Sequence, residues 1–228
     1  MRLRLRRFQG RIGASECRVV RPWAPLRHTA LADPAGYGWL VGDHDGLSRL
    51  AGLFSLAAYS RHTVVHVPLR DGVPIDGEED FLLGCGGRVD LVLIHHSLGL
   101  RVTKWPSLRR GLTGGTALTV RTDEGRTARD AAAWEKRAGH ADMRDWLKPV
   151  THERTLFLVG SMGVFAAAAM ELAVAAGWGP MEKGVAKGQP ALITTLTGHL
   201  RADPAARGPE IDISFKAYPP YRHFRRPR

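Results

Sequence analysis

Apolar runs of strand length alternate along this chain with segments whose apolar residues recur at three- and four-residue steps. That order constrains the fold more than any other feature. Residues 37–42 (YGWLVG), 63–67 (TVVHV), 89–94 (VDLVLI), 116–121 (TALTVR) and 155–159 (TLFLV) read as strands. Between them, 45–59 reads as a helix capped by Asp43, with Leu47, Leu50, Ala51, Phe54 and Ala58 on one face. Trp105-Pro106 opens a short helix. Thr127-Ala128-Arg129-Asp130 resembles a capping box before AAAWEKRA, and Gly139 is its stop. Residues 142–147 read as a short helical piece, and 163–176 as a buried alanine-rich helix. The expectation is an α/β fold: a mainly parallel, Rossmann-like sheet with helices on both faces. Residues 191–200 and 210–216 add a C-terminal antiparallel β-hairpin. No repeat or linker divides residues 1–228, which read as a single domain. The acidic, turn-rich loop 71–80 is a candidate mobile loop.

Charge is distributed unevenly. The formal net charge is +11, yet residues 28–214 carry only −1, while 1–27 carry +7 and 215–228 carry +5. Two basic arms, 1–11 and 221–228, therefore hold much of the excess, and basic arms attract polyanions or an acidic protein partner. Candidate nucleic-acid contacts are Arg4, Arg6 and Arg7 at one end and Arg222, Arg225 and Arg226 at the other. In the second arm Tyr221, His223 and Phe224 are interleaved with arginine, a composition suited to stacking on bases while neutralising phosphates. The Arg/Leu alternation of residues 2–6 reads equally as a strand with one wet face. Arginine outnumbers lysine 27 to 6, a codon signature of a high-GC bacterial genome rather than of a function.

In open parallel sheets ligands bind beyond the carboxyl ends of the strands. The strand ends here supply Asp43 and His44, His66, His95-His96-Ser97, Thr122–Glu124, and Gly160-Ser161-Met162-Gly163. If the sheet is parallel these ends share one edge, with the turn at Ser161 beside His95 and His96. Gly160, Ser161 and Gly163 open a helix N-terminus, where backbone N–H groups and a partial positive charge favour phosphate or carboxylate. The spacing is that of neither a P-loop nor the full dinucleotide fingerprint. His95 and His96 are the candidate general acid/base residues, since histidine titrates near neutrality. Asp43, His44, Ser97, Gly160, Ser161 and Gly163 are the candidate ligand-binding set.

Other chemistry finds less support. Cys17 and Cys85 lack zinc-ligand spacing, and no metal ligands or cofactor are assigned. Ser161 is not in a nucleophile elbow, because Val159 stands where glycine would be needed. Residues 156–178 are long enough to span a bilayer, but Glu171 and the alanine content favour a buried strand, turn and helix, so no transmembrane segment is expected. No secretory signal pattern is present, and a cytoplasmic location is the default. The first functional expectation is a domain that binds a phosphorylated small molecule or nucleotide at the sheet edge. An enzyme, a hydrolase or transferase using His95 or His96, is the alternative. A nucleic-acid-binding or assembly protein acting through its arms is the third.

Overall fold

The computed structural model describes residues 1–12, 15–35, 37–140, 142–201 and 209–220. In chain order the strands and helices are β1 (Arg2–Ile12), β2 (Ser15–Pro22), β3 (Thr29–Leu31), β4 (Gly38–Gly42), α1 (His44–Tyr59), β5 (Thr63–Val67), α2 (Glu79–Gly84), β6 (Asp90–His95), α3 (Trp105–Arg110), β7 (Thr116–Arg121), α4 (Glu124–Ala138), β8 (Lys148–His152), β9 (Thr155–Gly160), α5 (Met162–Trp178), α6 (Lys183–Ala186), β10 (Ala191–Thr195) and β11 (Ile211–Phe215). The class is mixed α/β. A seven-stranded sheet runs β7-β1-β2-β5-β6-β9-β8, and a four-stranded sheet runs β10-β11-β4-β3.

The expected mainly parallel sheet is not what forms. In the larger sheet only β2/β5 and β6/β9 are parallel; the other pairings are antiparallel. The physical reason lies in strands that short loops turn back on their neighbours. β1 and β2 are hairpin partners, and so are β8 and β9. β5 and β6 also lie antiparallel: the connection between them, which holds the six-residue α2, packs on the second sheet instead of crossing over this one. The C-terminal pair β10/β11 is antiparallel as expected, but it is no appendage: β11 lies parallel to β4 and completes the second sheet.

Residues 1–11 form most of β1, an interior strand rather than a free arm. Leu3 and Leu5 are buried while Arg2, Arg4 and Arg6 are exposed, the alternation that a pleated strand requires. Further along, Phe8 on the arginine face is buried instead, beneath α3. Gly10 permits that packing, because a Cβ there would stand 2.5 Å from Leu108 Cδ1. The segment 221–228, with Arg222, Arg225 and Arg226, lies outside the described residues.

The larger core lies between the two sheets. Leu3, Leu5, Val65, Leu91, Leu93 and Leu158 of the first join Leu31, Leu40, Ile211 and Phe215 of the second around α1, α4 and α5. Because α5 is packed by α1, α4 and the second sheet, it is apolar on nearly every side. Met162–Met181 is long and apolar enough to cross a bilayer, and 61% of that window is buried here. Its one carboxylate, Glu171, accepts a hydrogen bond from Thr194 Oγ1 at 2.5 Å. The outer face of the second sheet buries Trp39 and Val41 against Ile75, Leu82 and Cys85. The loop expected to be mobile is tied down there, by Lys216 to Glu78 at 2.6 Å and by the Arg88–Glu79 pair.

Two local boundaries differ from expectation. Asp123, not Thr127, caps α4, its Oδ1 accepting from Arg126 N at 2.9 Å. Thr127 is drawn inward and meets Ser55 Oγ at 2.8 Å. Residues 142–147 are irregular, and the chain next forms β8, a strand that Pro149 concealed in the sequence.

Candidate functional site

The parallel pair β6/β9 sets the site. His95 and Gly160 are register partners at the carboxyl ends of the two strands, so both following turns emerge on one rim. After His95 the chain enters a 3₁₀ turn, His96–Leu98, instead of continuing as strand. That turn brings His96 alongside His95, their ring centroids 4.5 Å apart, and both reach the rim. After Gly160, Ser161 caps α5 by accepting from Gly163 N at 3.2 Å. The expected neighbourhood of Ser161, His95 and His96 therefore exists.

Two adjoining cavities occupy it. One, of about 320 Å³, is lined by Arg61, His95, His96, Ser97, Ser161 and Gly163 among others. The second, of about 640 Å³, includes His96, Arg137, His140, Asp145, Lys148 and Ser161. His96, Arg137, Asp145 and Ser161 line both. The carboxylates present are Asp130, Asp142 and Asp145, of which Asp145 lies 4.0 Å from Arg137. Against them stand Arg61, Arg137, Arg144 and Lys148, together with the positive end of α5.

His95 is the most constrained group. Ser97 N–H donates to its Nδ1 at 3.3 Å, and Ser97 Oγ lies 2.8 Å from the same nitrogen and also reaches Arg61 O. A ring whose Nδ1 accepts is a neutral ring with its proton on Nε2. No hydrogen bond to Nε2 occurs among the described residues. Burial, with the charges of His96, Arg61 and His62, holds the pKa of His95 below the usual 6.5, against an opposing pull from Asp145.

The glycines serve packing rather than turn conformation. Neither has positive φ. A Cβ on Gly160 would stand 2.7 Å from Leu147 and 2.8 Å from Val164, and one on Gly163 would stand 3.2 Å from Trp134.

The remaining expected site residues lie elsewhere. Asp43 caps α1 by accepting from Gly46 N at 2.8 Å, and His44 Nδ1 lies 3.0 Å from Ala176 O, near the far end of α5. The fifteen-residue rise from Ser161 to Ala176 is about 22 Å, so Asp43 and His44 share no ligand with Ser161. The common edge fails there because β4 belongs to the second sheet. His66 is displaced because β5 runs against β6, and Thr122–Glu124 because β7 runs against β1. Arg4, Arg6 and Arg7 divide between the two faces of β1. Arg61, Arg137, His140, Asp145 and Lys148 were missed. The only signal for Arg137 was its place in the last turn of α4, and turn residues such as His140 carried none.

At the opposite end of β6 lies a buried charge network. Asp90 accepts from Leu69 N at 3.0 Å, Arg70 N at 3.2 Å and Arg109 Nη1 at 3.2 Å, and lies 3.3 Å from His66 Nε2. Arg21 Nε donates to His66 Nδ1 at 2.8 Å. Both nitrogens of His66 are thus engaged, and the network reads as structural. Burial pushes His66 down. Burial alone would push Asp90 up, but the bonds from His66 and Arg70 prevail and hold it below 3.8.

Comparison with protein-family models, with curated proteins and with solved structures finds no match, so function is read from geometry alone. Among the described residues no group of three or more His, Cys, Asp or Glu is placed to hold a metal ion.

Proposed function

We propose that this protein binds a phosphorylated small molecule or nucleotide at the β6/β9 rim. The observation that carries the reading is the meeting of a long helix N-terminus with Arg61, Arg137, His95 and His96 across two adjoining cavities. A phosphate seated before Ser161 would face first-turn N–H groups, which have no carbonyl partner within the helix. The guanidinium of Arg137 or Arg61 would complete its coordination. The reading needs only the local parallel pair and the helix after β9, not a Rossmann-like sheet. A cytoplasmic setting suits it, since Cys17 and Cys85 are both free and buried.

A thermal-shift screen with inorganic phosphate, nucleotides and sugar phosphates tests the proposal. At a hundredfold excess over Kd a true ligand stabilises by about 2.7 kcal/mol. That shift should vanish in Arg61→Ala/Arg137→Ala. If no phosphorylated compound raises Tm, the reading fails.

The Ser97-fixed tautomer of His95 favours a second reading, in which Nε2–H acts as a hydrogen-bond donor and general acid toward the bound ligand in a hydrolase or transferase. Protonation of Nδ1 would break the bond from Ser97 that orients the ring, so turnover would need neutral His95. It would rise with pH through a pKa below 6.5 and be lost in His95→Gln. Full turnover in His95→Gln would exclude that role.

A further inference from the structure

We propose that the arginine-bearing face of β7, β1 and β2 binds single-stranded nucleic acid, with Arg2, Arg4, Arg6 and Arg121 neutralising phosphates and Trp23 stacking a base.

The strands place these residues on one face. Arg2, Arg4 and Arg6 alternate along β1. Arg2 pairs with Arg121 of β7, and Arg6 pairs with Arg21 of β2. Trp23 N donates to Arg4 O at 2.9 Å, which sets the indole beside Arg4. Arg6 and Arg4 lie over that ring, 4.7 and 5.6 Å from its centroid, while 38% of Trp23 stays exposed. Arg7 points to the other face and is not part of the surface.

Two features make this more than a solvated strand. Among the described residues Arg2, Arg4, Arg6 and Arg121 form no ion pair with a carboxylate. Moreover, Arg2↔Arg121 and Arg6↔Arg21 set like charges directly opposite one another, an arrangement that costs a sheet stability. A polyanion laid across the strands removes that repulsion.

The geometry favours a single strand. Alternate residues of a strand are spaced about 6.6–6.8 Å apart, comparable to the phosphate spacing of an extended nucleic-acid chain. An exposed indole can stack only on an unpaired base. The face otherwise carries Ala117 and Thr119, which offer a membrane little to insert.

The test is fluorescence anisotropy of the full chain with labelled oligouridine and oligothymidine over a range of NaCl concentrations. Matched duplex and phosphatidylserine-containing vesicles serve as competitors. Wild type should bind the single strands in a salt-dependent way. Arg4→Gln/Arg6→Gln should lower the slope of log K against log salt by about 1.4, while Arg4→Lys/Arg6→Lys should keep it. Trp23→Leu should weaken binding about tenfold. Arg121→Gln should weaken binding yet raise Tm, an opposite pair of effects that a purely structural arginine would not give. The proposal is overturned by equal slopes in wild type and Arg4→Gln/Arg6→Gln, by equal or tighter binding of duplex, or by binding to vesicles alone. Loss of the slope on deleting residues 221–228 would move the contact to that segment and overturn it too.

Discussion

At Gly160 a single methyl group decides between packing and collision. An added Cβ would meet Leu147 at 2.7 Å and Val164 at 2.8 Å, and neither is the end of a flexible polar chain. Gly160→Ala should therefore destabilise by about 1–3 kcal/mol through overpacking. Urea denaturation would show it as a lower midpoint with an unchanged m value. His95 teaches a related lesson. Its tautomer is set by the backbone N–H two residues on, and its pKa is lowered first by burial and then by His96 and by neighbours just before β5, against a pull from the chain after α4. A sequence shows the imidazole and its covalent neighbours but not Arg61 or Asp145. The residue type could be singled out, and its protonation could not.

Among the elements, those with a strong internal period were legible. The Arg/Leu alternation of residues 2–6 specifies a strand with one wet face, and the three-four spacing of Leu47, Leu50 and Phe54 specifies α1. Boundaries were harder to read. Asp123 and Thr127 both present cap-forming side chains, and burial of Thr127 against Ser55 settled the start of α4. Asp123→Ala should cost about 0.5–2 kcal/mol, measurable as a drop in Tm. β8 was illegible because Pro149 argues against a strand, yet proline is tolerated at the edge of a sheet, where β8 lies. Strand direction was also beyond the sequence. Alternation tells which face is wet, but it does not say whether a neighbour runs up or down.

At the scale of the whole molecule, division into two sheets, together with reversed strands within the larger one, split the expected edge. Asp43 and His44 went with one sheet, and His95, His96, Ser97 and Ser161 with the other. Partner choice between distant strands depends on packing that no local pattern records. The fold also buries His66, His95 and His199, and burial lowers all three pKa values from 6.5. The unfolded chain takes up protons at these sites as pH falls through about 6.5, while the folded chain resists. Their contribution to stability is complete above that value and is lost as pH drops toward the lower folded values. Tm should therefore decline from about pH 6.5 downward. Asp90, held below 3.8, stays ionised at the start of this decline and does not oppose it. A Tm independent of pH between 7.5 and 5.5 would contradict the assignment.

β6 is buried at every residue and bonded on both sides, by β5 and by β9. No fraying edge reaches it, so its amides can meet solvent only when the sheet around it opens. In deuterium exchange, Leu91 to Ile94 should be the last to take up label, well after the edge strands β7, β8, β10 and β3. A beam that opens only with its sheet holds its two ends at a fixed separation. The rim at His95 and the arginine network at Asp90 are therefore anchored to one stiff member, and a ligand proposed at the rim would work against a scaffold locked at its far end.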